Sequence, residues 1–454
     1  MESKKRQSKN SKATRIDLFN FSTPQMRAFH MSWFAFFLCF FAWFGIVPLM
    51  TIVREEFALT KEQMGWCIIG SVSATVAARL VIGWLCDHVG PRLAYTWLLI
   101  IGALPVMGIG LAWNFESFLV FRILIGGIGA SFVITQYHTS SMFSSRCIGT
   151  ANATTAGWGN MGGGATQIVM PYLFLGLITC FGLSEQSSWR IAMVIAGLLC
   201  MLTGVAYFFL TQDSPEGNFK ELKEQGLLES SQANQGTFLS ACQDSRVWSL
   251  FIIYGACFGM ELIITNVAAL YFIDYFDEFK KMETMQALKI AGLFAALFGL
   301  MNIFARTLGG GLGDFFGNKF GLKGRLKWLF IVLFCEGLTL MLFSQMSLLV
   351  LAIPTLILFS LCVKMAQGAT FSVVPFVNKK ATGAVAGIVG AGGNMGAVAA
   401  GFLFKGELDW GTAFFILGAI VTVSSFLAFA IKFNTEAETD ITQQKIKLAT
   451  ATNG

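Results

Sequence analysis

Charge is scarce in this sequence: lysine, arginine, aspartate and glutamate together make 13% of its 454 residues. A soluble chain of ordinary composition carries about 25%, because its surface must stay wet. A water-soluble globular fold is thereby excluded for most of the length. Histidine is rarer still, with three residues and no HExxH, which removes the usual helical ligand set of a metallohydrolase. No GxxxxGK[ST] occurs, so ATP is not the energy source. The ten cysteines fall singly and never as CxxC, giving neither a metal site nor a disulfide framework. No cofactor or metal is expected, and without a catalytic cluster the chain does not read as an enzyme.

Apolar residues are abundant, at 55% of the chain with 14% aromatic, and the mean hydropathy is +0.65. They come in blocks of about 20, the length that crosses a bilayer core of roughly 30 Å. Twelve such blocks lie near 29–52, 65–86, 94–112, 117–140, 149–173, 190–211, 247–273, 289–314, 328–345, 347–371, 381–404 and 410–432. In lipid each must be a helix, since a helix satisfies its own backbone groups. The fold class is an all-α membrane protein of twelve transmembrane helices in two pseudo-symmetric six-helix bundles. The polar N-terminus is too long to be a cleaved signal.

Orientation follows from basic residues. Residues 1–28 carry seven basic and two acidic side chains, and the loop 318–327 carries Lys319, Lys323, Arg325 and Lys327 with no acid. Arg146 and the pair Lys379–Lys380 fall on the same side when helices alternate. Both termini are therefore expected in the cytoplasm of a multi-pass plasma-membrane protein. The net charge of +6 reflects this bias and implies no nucleic-acid partner. The chain divides into a tail (1–28), a first bundle (29–211), a cytoplasmic linker (212–246), a second bundle (247–432) and a C-terminal tail (433–454) whose composition predicts disorder.

The halves repeat one another. Arg79-x3-Gly83-x3-Asp87-x2-Gly90 in the second block matches Arg306-x3-Gly310-x3-Asp314-x2-Gly317 in the eighth. GTANATTAGWGNMG from Gly149 aligns without gaps to GAVAGIVGAGGNMG from Gly383, pairing Asn160 with Asn394. Internal duplication of this kind characterises secondary transporters, which bind substrate near the midplane between repeats.

Arg79 and Arg306 stand eight residues before Asp87 and Asp314, roughly 12 Å into the membrane at 1.5 Å per residue. A buried arginine at that depth is costly and needs a partner or a role. Either the pair forms interhelical salt bridges, for which Glu261 and Glu336 are the main acids, or it holds a small anion. The planar guanidinium fork matches a planar oxyanion bidentately, and two symmetric arginines with few carboxylates favour the anion. The glycines around Asn160 and Asn394 read first as close helix packing. The symmetric asparagines would add uncharged amide donors to an oxyanion.

At these residues a resemblance becomes specific. Gly83-x3-Asp87-x2-Gly90-x-Arg92, joined by Arg122 at the start of the fourth helix, looks like the loop motif of the major facilitator superfamily. AGWGNMGGGATQ (156–167) and AGGNMG (391–396) resemble the paired signatures of the nitrate/nitrite porter family. TQYHTSSMF (135–143), YGACFGMEL (254–262) and GATFSVVPFV (368–377) are similar to plant and algal high-affinity nitrate transporters. The resemblance runs over roughly 25–432 and implies a major facilitator fold. It also implies nitrate held between Arg79 and Arg306, contacts from Asn160 and Asn394, and an aromatic clamp of Tyr254 and Phe258. Trp43 or Phe44 would supply a further ring, with Gln136 and Gln167 as secondary polar contacts. Protons are the implied coupling ion, with Glu261 as the intramembrane candidate for carrying them. Nitrite, as alternative substrate or exchange partner, and a small single-span accessory membrane protein stay open.

Overall fold

The computed structural model describes residues 12–144, 148–225, 235–378 and 382–433; Arg146, Lys379, Lys380 and the tail beyond Phe433 lie outside them. Within these residues twelve helices are long and apolar enough to cross a membrane. They are α1 (Pro24–Glu56), α2 (Lys61–Gly83), α3 (Pro91–Leu111), α4 (Phe115–Met142), α5 (Thr150–Phe181) and α6 (Glu185–Leu210), then α7 (Ser245–Tyr275), α8 (Thr284–Gly317), α9 (Lys319–Ser344), α10 (Leu349–Val373), α11 (Ala384–Lys405) and α12 (Trp410–Ala430).

Local chemistry sets many of the starts. Thr23 caps α1 ahead of Pro24, and Thr60 with Gln63 forms a reciprocal capping box on α2. Asn114 with Ser117 does the same on α4, while Asp409 caps α12. Each satisfies amide donors that a helix start leaves open. Three spans are interrupted midway by single 3-10 turns: α1 at Val47–Leu49, α4 at Gly127–Ala130 and α8 at Met301–Ile303. Such breaks are tolerated at membrane depth where the irregular backbone is buried in protein.

Within the halves α1 packs on α5, and α7 on α11; between them α2 meets α11, and α5 meets α8. The duplication in sequence is thus a duplication in packing, and the cross-half pairs bring the two arginine helices onto the two asparagine helices. Glycine lets backbones touch: a Cβ on Gly396 would fall 2.3 Å from the Gly255 carbonyl oxygen, and one on Gly164 2.8 Å from Gly299.

Two expectations gain detail. The segment 318–327 is a tight connection between two helices: Gly321 (φ 69°, ψ −160°) breaks the helical backbone close to where α8 gives way to α9, with helix on either side of it. Apolar blocks measure the depth of hydrocarbon, and helix extends past it on either side of the Gly321 kink, where lysine, leucine and arginine favour it. The segment between the bundles is also more than plain linker. It carries helices Phe219–Glu224 and Gln235–Cys242, and Asp213 is buried.

Candidate functional site

The two arginines share an environment. Arg79 and Arg306 are 7% and 5% exposed, and both guanidinium groups face the Phe132 ring, at 5.4 and 6.0 Å from its centroid. Arg79 Nη1 donates to the Gly390 carbonyl of α11 (2.8 Å), while its Nε and Nη2 have no partner among the described residues. Arg306 Nη2 donates to the Tyr254 hydroxyl (3.1 Å), and its Nη1 has no partner among the described residues. Neither arginine pairs with a carboxylate among the described residues. A buried guanidinium satisfied only by neutral acceptors keeps its full charge, and leaves donors aimed at an acceptor the protein does not supply.

Aromatic walls complete this region. Tyr254 and Phe258, one turn apart on α7, stack with centroids 5.2 Å apart and planes within 10°. Phe258 also faces Arg79 at 5.9 Å. Gly393 makes room for them, since a Cβ there would lie 2.4 Å from the Phe258 ring. Phe132 went unnoticed in the sequence: it stands one helical turn before Gln136, just ahead of the stretch 135–143 marked out by its similarity.

Asn160 and Asn394 are buried, and the amide oxygen and nitrogen of both have no partner among the described residues. Gln167 is committed in part: Nε2 donates to the Thr265 carbonyl across the halves (2.9 Å), while Oε1 has no partner. Gln136 is only partly buried and donates to the Asn152 carbonyl (3.2 Å), a contact inside the first half. Trp43 is fixed by its bond to the Ser71 carbonyl (2.6 Å) and tilts against Phe44 at 4.9 Å. Neither ring faces an arginine among the described residues.

Glu261 does not pair with an arginine. Lys364 of α10 sits 2.5 Å from its carboxylate, and both are buried. Asn302 (2.7 Å) and Gln367 (2.5 Å) donate to the same carboxylate. Lys364 escaped the sequence reading because it stands alone in an apolar run with no repeat to mark it. Arg122 is buried too, donating to Asn266 of α7 (2.9 Å).

The loop motif brackets the start of the linker. Gly90 takes φ +84°, and any Cβ there would strike the Asp213 carboxylate. Asp213 accepts from the Arg92 and Phe219 amides (2.7 and 2.9 Å), and the Arg92 side chain donates to the Phe208 carbonyl (2.8 Å). Burial pushes the Asp213 carboxyl up, with those two amides working against it. In the second half Asp314 pairs with Arg325 (2.5 Å), whose guanidinium crowds Gly317. Gly310 packs near Gly368, Gly83 near Val133; the Asp87 side chain lies outside the described set.

At the end of the bundle away from the termini the halves are clasped. Arg54 pairs with Asp274 (2.8 Å) and Lys405 with Glu62 (3.2 Å), and Lys61 donates to the Leu408 carbonyl.

Comparison with known proteins agrees with this architecture. Residues 32–378 match the family model described as Major Facilitator Superfamily. "High affinity nitrate transporter 2.5" of Arabidopsis thaliana is 41% identical over 394 residues, covering 87% of this chain and 76% of that one. "High-affinity nitrate transporter 2.3" of Oryza sativa subsp. japonica is 38% identical over 87% and 74% of the two chains. "Nitrate/nitrite transporter NrtP" of Nostoc punctiforme is 28% identical over 91% and 94%. Among solved structures, the xylose transporter XylE from E. coli in a partially occluded inward open conformation aligns with a TM-score of 0.67 at 12% identity, over 91% and 99% of the chains. A bacterial homologue of the human lysosomal transporter Spinster, inward-facing and occupied, aligns with a TM-score of 0.66 at 15% identity, over 88% and 95%.

Proposed function

This chain belongs to the major facilitator superfamily, within its nitrate/nitrite porter family, and from that premise we propose that it carries nitrate into the cell with high affinity by proton-coupled symport. The observation that carries this reading is the arginine pair: two symmetric, buried guanidinium groups on one aromatic ring, with three nitrogens free of protein partners. A planar monovalent oxyanion fits the fork geometry, and Asn160 and Asn394 add neutral donors from the facing helices. Tyr254 and Phe258 wall the site, and Gln167 offers an amide oxygen whose role is to orient rather than bind the anion. The Gln136 bond to Asn152 puts that side chain in a supporting position.

Transport follows by alternating access. The clasp of Arg54–Asp274 and Lys405–Glu62 closes what we assign as the outer mouth, with both termini in the cytoplasm of a plasma-membrane protein. Opening it breaks half-exposed ion pairs worth about 0.2–1 kcal/mol each, small enough for the substrate to tip the balance. The Arg122–Asn266 bond, deeper on the same side, breaks with them. Gly83, Asp87, Gly90 and Arg92, with Gly310, Asp314 and Gly317, steer the opposite end.

Nitrate entering a negative interior climbs about 2.3 kcal/mol per charge per 100 mV, so uptake requires at least two protons per anion if current is inward. The buried charges around Glu261 are the coupling site. Exchange of nitrate for nitrite is the alternative, and the threefold engagement of the Glu261 carboxylate, whose charge is compensated in place by Lys364, is the observation in its favour.

Nitrate-evoked current in voltage-clamped oocytes tests this, with the chain expressed alone and then with a single-span accessory membrane protein. Inward current growing with external acidity is the expected result. Nitrate uptake driven by preloaded nitrite, without current, would replace symport with exchange.

A further inference from the structure

Glu336 of α9 is 0% exposed, and neither of its carboxylate oxygens has a hydrogen-bond partner among the described residues. The charged and titratable groups facing it are Lys364 and Cys362 of α10 and Glu261 and Cys257 of α7, with Cys335 beside it on α9 itself. α12, which packs on α9 through Gly337 and Gly418, has no ionisable side chain. Arg306 of α8 lies within electrostatic reach of Glu261.

Lys364 is paired with Glu261 and only within electrostatic reach of Glu336, so the two carboxyl groups are not equivalent. Glu261 is held by Lys364, Asn302 and Gln367, so its charge is compensated in place. Glu336 has no donor, and an ionised carboxylate stripped of water without one is heavily penalised. A neutral carboxyl in that position is far less costly.

We propose that Glu336, rather than Glu261, carries the coupled proton; the assignment rests on the nitrate symport reading above. Water on one side supplies a proton that forms an O–H bond on a Glu336 oxygen. That bond breaks on the other side, returning the proton to water. With Glu336 neutral, Lys364 neutralises Glu261 and Arg306 is left to nitrate. Once Glu336 is ionised, Lys364 is divided between two carboxylates, and Glu261 competes with nitrate for Arg306. Proton and nitrate therefore favour each other's binding, reciprocally by linkage.

The test uses the full-length purified protein. Nitrate affinity is measured at about pH 5.5 and 7.5, and proton entry with a dye trapped in proteoliposomes given a nitrate gradient. Wild type should lose about 5- to 100-fold in affinity at the higher pH, the usual span of such coupling. Glu336→Gln should keep the acid-side affinity at both pH values, exchange nitrate for nitrate, and move no protons. Glu336→Asp should restore proton entry with a displaced pH midpoint. If wild type moves protons and Glu336→Gln moves them equally, this assignment is overturned and symport stands. If wild type exchanges nitrate without protons, symport and assignment fall together. Where Glu336→Gln does not yield folded protein, Glu336→Asp decides, and a pH profile identical to wild type overturns the proposal.

Discussion

Replacing Arg79 by lysine asks whether the guanidinium fork, and not its charge alone, binds the substrate. Arg79 has three nitrogens; one is spent on the Gly390 carbonyl and two remain without a protein partner. Lysine keeps the charge and a similar reach, so burial of one cation on α2 is preserved and the bundle is expected to fold. Its single nitrogen must either stay with Gly390 or turn to the anion, and it cannot meet two oxygens in a plane. The loss is one or two charge-assisted hydrogen bonds at about 1.5–3 kcal/mol each. At 1.4 kcal/mol per factor of ten, one bond alone costs about 10- to 100-fold in affinity. Isotopically labelled nitrate uptake gives KM and maximal rate in cells, and nitrate protection against thermal unfolding reports binding directly. A variant present at the membrane with unchanged KM and unchanged protection would refute the two-arginine site, and with it the planar-anion argument.

Other perturbations follow from the same geometry. Asn160→Ala with Asn394→Ala should raise KM about 5- to 25-fold, from roughly 1–2 kcal/mol of lost amide donation, with membrane insertion intact; unaltered uptake would return both to packing. Tyr254→Phe removes only the hydroxyl that accepts from Arg306, and a several-fold rise in KM, about 1 kcal/mol, is expected without loss of expression. Lys364→Met strips Glu261 of its buried cation, which should cost about 3–5 kcal/mol and lower the melting temperature in detergent. Adding Glu261→Gln to that variant should recover part of the loss, and no recovery would mean the pair is not the source. Gly396→Leu should block folding or halt transport, because its side chain must enter the Gly255 backbone; normal uptake would show that α7 and α11 do not approach this closely in the working protein.

Much of this was legible before any coordinates. Hydrocarbon is so poor a solvent for peptide groups that the blocks of apolar residues fixed helix number, and the duplicated motifs disclosed two halves and the arginine and asparagine pairs. Symmetry did the selecting, and residues outside the repeat were invisible to it. Phe132 and Lys364 stand alone in apolar runs, so nothing local separates them from packing residues. Whether Glu261 met an arginine or a lysine depended on which faces of α7, α8 and α10 came together, and composition cannot state that. How tight the connection at 318–327 is, with helix reaching Gly321 from both sides, was not legible because block length reports lipid depth rather than backbone conformation.

Taken alone, the sequence determined a twelve-helix duplicated membrane protein with a pair of buried arginines, because burial of charge and repetition of motif are properties of the chain. Tertiary structure alone decided that both guanidinium groups face one ring, and that Lys364 neutralises Glu261 while Glu336 has no donor. Hydrogen bonds and ion pairs reach only a few ångströms, and residues dozens of positions apart are brought within that range only by how the helices pack.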